Sequence, residues 1–458
     1  MKGKLLFCAG RWLVLLGLVS ALVPAYSQSR PIKERVLPGA YPQKPSLPSM
    51  AKIAVEPLGF TPPGPLYLGQ RNSLVSLDFM GEDRLLFTFR VPGLIHRQLK
   101  VGESDQTDER QIRAVVLHLP DGMVEAEGLW TVHDRGPYVW MLKDGHFLFR
   151  DQENLAEGDA HLDMKPLLQF PGPLLWLEVD PSEQFLVSNS SEPAAKPAKA
   201  GNVDSPATAQ VTLTPSGEVA EGDAAGGVDS ASGQNGADKK EETPSLFDNV
   251  VRILRRDGGQ VLLVSRVRQL VHLPINSQGY LESLRGRGLD WALNLNFFSG
   301  GSRVLGNVES SCAPNLDFLS DKEVIATGCD TLGAHKLVAV TTEGKTLWAD
   351  LNPDTAIWPL LVRSADGQRL IQETLMVNRP INSYSPLSAD DIKGQLVRVF
   401  DAATGEQVFE SPANPILDAG GNVALSPTSR RVAVLNGGEL EVFDLPAPAA
   451  MGGAQKAK

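Results

Sequence analysis

The sequence is poor in the residues that usually announce chemistry. Only three of its 458 residues are cysteine and seven are histidine, and aromatic residues make up 6%. The histidines (His96, His118, His133, His146, His161, His272 and His335) show no short ligand spacing, so no metal site is expected from them. There is no G-x-S-x-G elbow, no H-E-x-x-H helix, no Walker loop and no acidic loop with EF-hand spacing. Positive charge is also short: 43 Lys and Arg against 54 Asp and Glu leave a formal charge of -11. Phosphate backbones need clustered cations, which argues against a nucleic-acid partner. Past the N-terminal segment, no apolar run is long enough to span a bilayer.

What is present starts with MKGKLLFCAGRWLVLLGLVSALVPAYSQS. Lys2, Lys4 and Arg11 make a basic start, Trp12 to Val23 is apolar but short for a span, and Ala25-Tyr26-Ser27 offers a small-x-small cleavage site before Gln28. Residues 1–27 therefore read as a secretory signal peptide, and the protein as periplasmic or secreted. Cys8 leaves with that segment. Cys312 and Cys329 remain, an even pair in an oxidising compartment, and are expected to form a disulfide. In the chain-entropy picture a loop of this size stabilises the fold by roughly 3 kcal/mol.

Residues 28–66 are proline-rich and read as an extended lead-in. Residues 192–244 are dominated by Ala, Gly, Ser, Asp and Pro and contain no aromatic residue; they cannot bury enough apolar surface to offset ordering entropy, so a disordered insertion is expected. Patterned sequence resumes after it, so it interrupts a structural unit. Residues 447–458 form a loose tail. Between these segments, over 67–446, short runs such as RLLFTFR, RAVVLHL, QFLVS, QVLLV and LVRVF alternate with turn residues, and no long helical period occurs. The class is all-β.

Two kinds of turn recur. One precedes a strand: DFMGEDRLLF, EVDPSEQFLV, DFLSDKEVIA, RSADGQRLIQ, ALSPTSRRVAVL, with a weak copy in TVHDRGPYVW. The second joins later strands: LHLPDGMV, MLKDGHFLF, LRRDGGQVLL, VTTEGKTLW, FDAATGEQVF. An early and a late hairpin make a four-stranded unit, and units near 45 residues predict a β-propeller of about seven blades. Six and eight blades stay open, because the unit between 265 and 310 could turn at INSQGY or at FFSGGSRV.

The segment LSPTSRRVAVLNGGELEVFDL resembles the degenerate blades of WD40-like propellers. VRVFDAATGEQVFE and VTTEGKTLWADL resemble the strand ends of quinoprotein-type (PQQ-like) repeats, with Trp348 in the place of the repeat tryptophan and Phe149 and Phe409 standing in elsewhere. The resemblance covers most of residues 70–446 and implies an exported bacterial propeller.

Few side chains stand out as functional. Asp134, Asp180, Asp321 and Asp366 fall in comparable turns; they could ring one mouth of the channel, or serve as ordinary turn residues. LPINSQGY and RPINSYSP share Pro-Ile-Asn-Ser and could expose Asn276, Tyr280, Asn382 and Tyr384 on one rim. Arg285 and Arg287, set among glycines, could hold a carboxylate of a partner, or form a solvated loop. No catalytic residue, cofactor or metal is assigned. The reading is a non-catalytic scaffold that binds another envelope or secreted protein. The alternatives are a lactonase-like hydrolase or quinone-dependent oxidoreductase at the channel mouth, and a carbohydrate-binding module using Trp130, Trp140, Trp176, Trp291 or Trp358 near the axis.

Overall fold

The first kind of turn is a hydrogen-bonded device repeated from blade to blade. Asp180 Oδ1 accepts the Phe185 N–H at 2.7 Å, Ser364 Oγ the Arg369 N–H at 3.0 Å, and Ser426 Oγ the Arg431 N–H at 3.0 Å. The fourth residue of each turn is left-handed: Glu183 at φ 60°, Gly367 at 70°, Ser429 at 60°. A short polar cap followed by a residue driven to positive φ reverses an inner strand into its neighbour. The turn aspartates thus serve as turn residues at Asp180 and Asp366, which also accepts from Ser364 and Ser429. Asp134 lies outside the described residues.

The structure is a computed structural model that describes residues 34–63, 75–92, 110–133, 136–193, 247–267, 272–381, 387–417 and 419–448. It is a seven-bladed β-propeller. Each blade is an antiparallel sheet whose first strand is innermost. Blade 1 comprises Val75–Phe79, Arg84–Arg90, Arg110–His118 and Val124–Val132; blade 2 comprises Val139–Met141, Phe147–Asp151, Asn154–Gly158 and Met164–Gln169. Blade 3 comprises Leu174–Val179, Phe185–Pro193, Phe247–Arg255 and Val261–Val267. Blade 4 has Gly279–Arg285, Asp290–Phe297 and Ser302–Glu309. Its innermost segment, 272–275, pairs through an Ile275–Tyr280 bridge and a Leu281 N–H to Pro274 O bond of 2.9 Å. Pro274 has no N–H to give, which shortens the ladder there. Blade 5 comprises Asn315–Ser320, Glu323–Cys329, His335–Thr341 and Thr346–Leu351; blade 6 comprises Ala356–Arg363, Arg369–Val377, Ile392–Asp401 and Gln407–Ala413. Blade 7 has Val423–Leu425, Arg431–Asn436 and Glu439–Asp444, with Ala51–Ala54 as its outer strand.

The blade between 265 and 310 therefore turns at INSQGY, and FFSGGSRV joins its last two strands. Blade 2 departs from expectation: its first turn is at Leu142–His146, in MLKDGHFLF, and not in TVHDRGPYVW. Phe149 sits in a second strand and is not a counterpart of Trp348. Phe409 is: both occupy the third position of a fourth strand and pack on the next blade, Trp348 by donating Nε1–H to Ala402 O at 2.7 Å and Phe409 against Phe443 at 4.8 Å.

The core is distributed around the ring. Separate apolar clusters fill each seam, for example Leu148, Leu155, Leu177 and Leu186 between blades 2 and 3, and Leu293, Leu305, Phe318 and Val324 between blades 4 and 5. Blade 1 is joined to blade 7 by Leu77, Phe87, Ala433 and Val442, so the ring closes.

The proline-rich lead-in is built into the disc. Arg35–Val36 pairs in parallel with the outer strand of blade 5, and Arg35 grips Asp350 at 2.7 Å. Arg398, 1% exposed in blade 6, donates to Pro38 O, and Ser46 N–H bonds Glu410 O at 2.8 Å. Ala51–Ala54 then completes blade 7 against Glu439–Val442. A strap thus crosses three blades.

The expected insertion lies between the second and third strands of blade 3, whose ladder runs as far as Pro193 opposite Phe247. Glu192 and Pro193 belong to that ladder, and Glu192 pairs with Arg252 at 3.0 Å, so these two residues are strand. Residues 194–246, like residues 1–33 where the signal peptide is expected, lie outside the described residues. Because the flanking strands are paired to their ends, replacing 194–246 with a short Asn-Gly turn is expected to shift the melting temperature by less than about 3 °C. A larger fall in a thermal melt would show that the segment contributes to packing.

Candidate functional site

Inner strands alternate, so every second side chain faces the axis. In blade 1 Ser76 and Asp78 point inward between buried Val75, Leu77 and Phe79. In blade 3 Trp176 and Glu178 do so between Leu174, Leu177 and Val179. Asp317 in blade 5, Arg363 in blade 6 and His272 at the start of blade 4 complete a channel with a cavity of about 560 Å³, which Trp140 of blade 2 also lines.

His272 is the hub of the channel. Its Nε2–H is shared between Leu316 O at 3.0 Å and Asp317 Oδ1 at 3.2 Å, its Nδ1 lies 3.6 Å from Glu178 Oε2, and its ring meets Trp176 edge-on at 5.1 Å. Burial opposes a charge on the imidazole, but the hydrogen bond to Asp317 and the charges of Asp317 and Glu178 outweigh it and push His272 up to about 9. Glu178 is also pushed up, by burial first, with the His272 charge resisting. Burial raises Asp78 to about 6, against the hydrogen bond from Ser76 Oγ. Towards the turn end, Arg363 donates to Val179 O at 3.0 Å and Lys143 to Pro181 O at 2.5 Å. The imidazole is thus hydrogen-bonded at Nε2 and faces the Glu178 carboxylate at Nδ1. Ser76 is bonded to a carboxylate and not to an imidazole.

Connections between second and third strands emerge on the face opposite the repeated turns. In blade 4 this connection carries Arg285, Arg287 and Leu289; in blade 5 it carries Leu332, which is 84% exposed. The two tips are fastened together: Ser310 N–H bonds Leu289 O at 2.8 Å, and Ser311 Oγ bonds Asp330 O at 2.5 Å. The expected Cys312–Cys329 disulfide is present beneath them.

The other sequence candidates fall elsewhere. Asn276 is fully buried: its Oδ1 accepts the N–H groups of Gln278 and Gly279, and its Nδ2 donates to Asp321 O at 3.1 Å, so it shapes a turn and is not exposed on a rim. Tyr280 is half-buried in the seam between blades 3 and 4. Asn382 and Tyr384 lie outside the described residues. Trp291 is buried, with Nε1–H on Ser310 O at 3.1 Å. Asp78, Glu178, Asp317 and Arg363 drew no attention in the sequence, although a lone charge in an apolar strand just ahead of a repeated turn was a readable sign. Among the described residues no group of three His, Cys, Asp or Glu is placed to hold a metal, and no helix is long and apolar enough to cross a membrane.

No family model matches the chain, and no curated protein matches it. Solved structures do. The acylaminoacyl peptidase of Pyrococcus horikoshii aligns over 83% of this chain and 52% of its own, at 10% identity and a TM-score of 0.42. This chain thus spans about half the length of that peptidase. The β-propeller domain of the Trilobed protease from Pyrococcus furiosus aligns over 82% and 94%, at 8% identity and a TM-score of 0.39. Hydrazine synthase from Kuenenia stuttgartiensis aligns over 81% and 94%, at 9% identity and a TM-score of 0.39.

Proposed function

We propose that this propeller is exported and acts as a protein-binding scaffold in the cell envelope or outside the cell. Its partner docks on the blade 4 and blade 5 face, around Leu332, Leu289, Arg285 and Arg287. The observation that carries the reading is Leu332. A large apolar side chain almost wholly in water, on a tip fastened to its neighbour and underlaid by a disulfide, is a preordered contact, which lowers the ordering cost of docking. The adjacent arginines suit a partner with carboxylates around an apolar centre. Export is supported by the signal-like N-terminus and by the cystine. The WD40-like and quinoprotein-type grammar of the blades is supported by Trp348 and Phe409, which fill the same place in successive blades.

The test is co-purification of the tagged protein from envelope and culture fractions under mild crosslinking. The wild type is expected to bring down a stoichiometric protein. The double variant Leu332→Asp, Arg287→Glu should recover at least about tenfold less of it while melting within about 2 °C of the wild type. Undiminished recovery by the variant would rule this face out.

A further inference from the structure

We propose that the axial channel is a second, separate binding site, and that its ligand is a small organic cation carrying ammonium or guanidinium groups, held by Asp78 and Glu178 beside Trp140 and Trp176. Three observations converge. A cavity of about 560 Å³ lies within the range of small-molecule sites, about 300–1,000 Å³. Its carboxylates are short of donors: among the described residues Asp78 meets only the Ser76 hydroxyl, and Glu178 Oε2 accepts no hydrogen bond, with His272 Nδ1 3.6 Å away. The cations nearby place their hydrogen bonds elsewhere, and His272 reaches Glu178 only as an ion pair at 3.6 Å. Arg363 and Lys143 are spent on the backbone carbonyls of Val179 and Pro181, and His272 gives its one short contact to Asp317 and Leu316.

A buried carboxylate without donors is costly to keep ionised, and both groups show it in their raised pKa values. A ligand that brings N–H donors and positive charge removes that cost at two points on different blades. The tryptophans add π-faces, which attract ammonium and guanidinium ions and give the neutral part of the ligand an apolar wall. His272⁺ lying edge-on to Trp176 and facing Glu178 already displays the pairing of cation, aromatic ring and carboxylate that a ligand would extend. A sugar would find the aromatic walls but would leave the charge of the acids uncompensated. A bare divalent ion would gain nothing from the tryptophans.

The site is tested by titration calorimetry on the full chain with agmatine, which carries both cationic groups. The neutral comparators are 1,4-butanediol and maltose, and calcium is the inorganic one. Agmatine is expected to bind at least about tenfold tighter than any comparator. Asp78→Asn and Glu178→Gln, made singly, should each weaken it by about tenfold or more. Asp78→Asn removes a charge that a serine hydroxyl alone meets among the described residues and should melt no lower than the wild type, whereas Glu178→Gln also strips a charge from beside His272 and should melt somewhat lower; since the two residues lie on different blades, either variant alone decides the matter if the other does not fold. No heat with agmatine at about 10 mM, an affinity unchanged in the variants, or preferential binding of calcium or maltose would overturn the proposal. Partner docking on the outer face is read separately by co-purification, and Leu332→Asp should leave agmatine binding unchanged.

Discussion

A chain that begins at residue 61 is expected to lose its cooperative thermal transition. The strap it lacks supplies the outer strand of blade 7 and buries Ala51, Ile53, Val55 and Phe60 in the seam with blade 1, where Phe60 packs on Phe87 and Phe89 at 5.4 Å each. Each of the larger side chains contributes about 1.5–3 kcal/mol on full burial. Removal also strips Arg35 from Asp350, whose side chain is buried, and Pro38 O from Arg398. An uncompensated buried charge alone costs about 3–5 kcal/mol. Against a typical stability of about 5–15 kcal/mol, these losses leave little. The measurement is a circular dichroism melt, followed by addition of residues 34–60 as a separate peptide, which should restore the transition. A truncated protein that melts within a few degrees of the full chain would mean that the strap is an ornament.

The second large effect concerns Glu373, in the middle of blade 6. It is 1% exposed; Gln395 Nε2 approaches its Oε2 at 3.4 Å, and its Oε1 meets no partner among the described residues. Burial pushes this carboxyl up to about 8 from an ordinary value of 4.5. The folded protein therefore holds a proton that the unfolded chain has given up. Stability is full below about pH 4.5 and is lost as pH rises through 8, by about 1.4 kcal/mol for each pH unit inside that window. Glu373→Gln keeps the shape and removes the titration. It should match the wild type near pH 5 and exceed it by several kcal/mol at pH 8.5 in urea unfolding. A stability difference that does not change with pH would show that Glu373 stays ionised in the fold.

The blades were legible because their turns carry chemistry that shows in one dimension. A polar cap, a left-handed fourth position and an Asp-Gly pair are local requirements, and they recur at blade spacing. Blade 2 was misplaced because its inner strand is only three residues long, so its first turn looked like a late hairpin. Blade 4 was ambiguous because Pro274 interrupts its innermost ladder. The strap was hidden by composition: its prolines read as linker, although buried Ala51, Ile53 and Val55 alternate with exposed Lys52 and Ala54. The channel could not be read at all as a constellation. Glu178, His272 and Asp317 belong to three different blades, and only the folded disc brings both carboxylates within 4 Å of His272. Asn276 misled for the opposite reason: a shared Pro-Ile-Asn-Ser looked like an exposed motif, while the asparagine was needed inside as a turn cap.

The Ala51–Ala54 strand has a consequence for the order of events in biosynthesis. Its partner, Glu439–Asp444, is made long after it. The early strand must wait for the late one, so the disc stays open, with the seam between blades 7 and 1 uncovered, until blade 7 has been made. Premature termination even within the final blade would leave an apolar gap in a chain that is otherwise intact, and such a product would be a marked target for quality-control proteases.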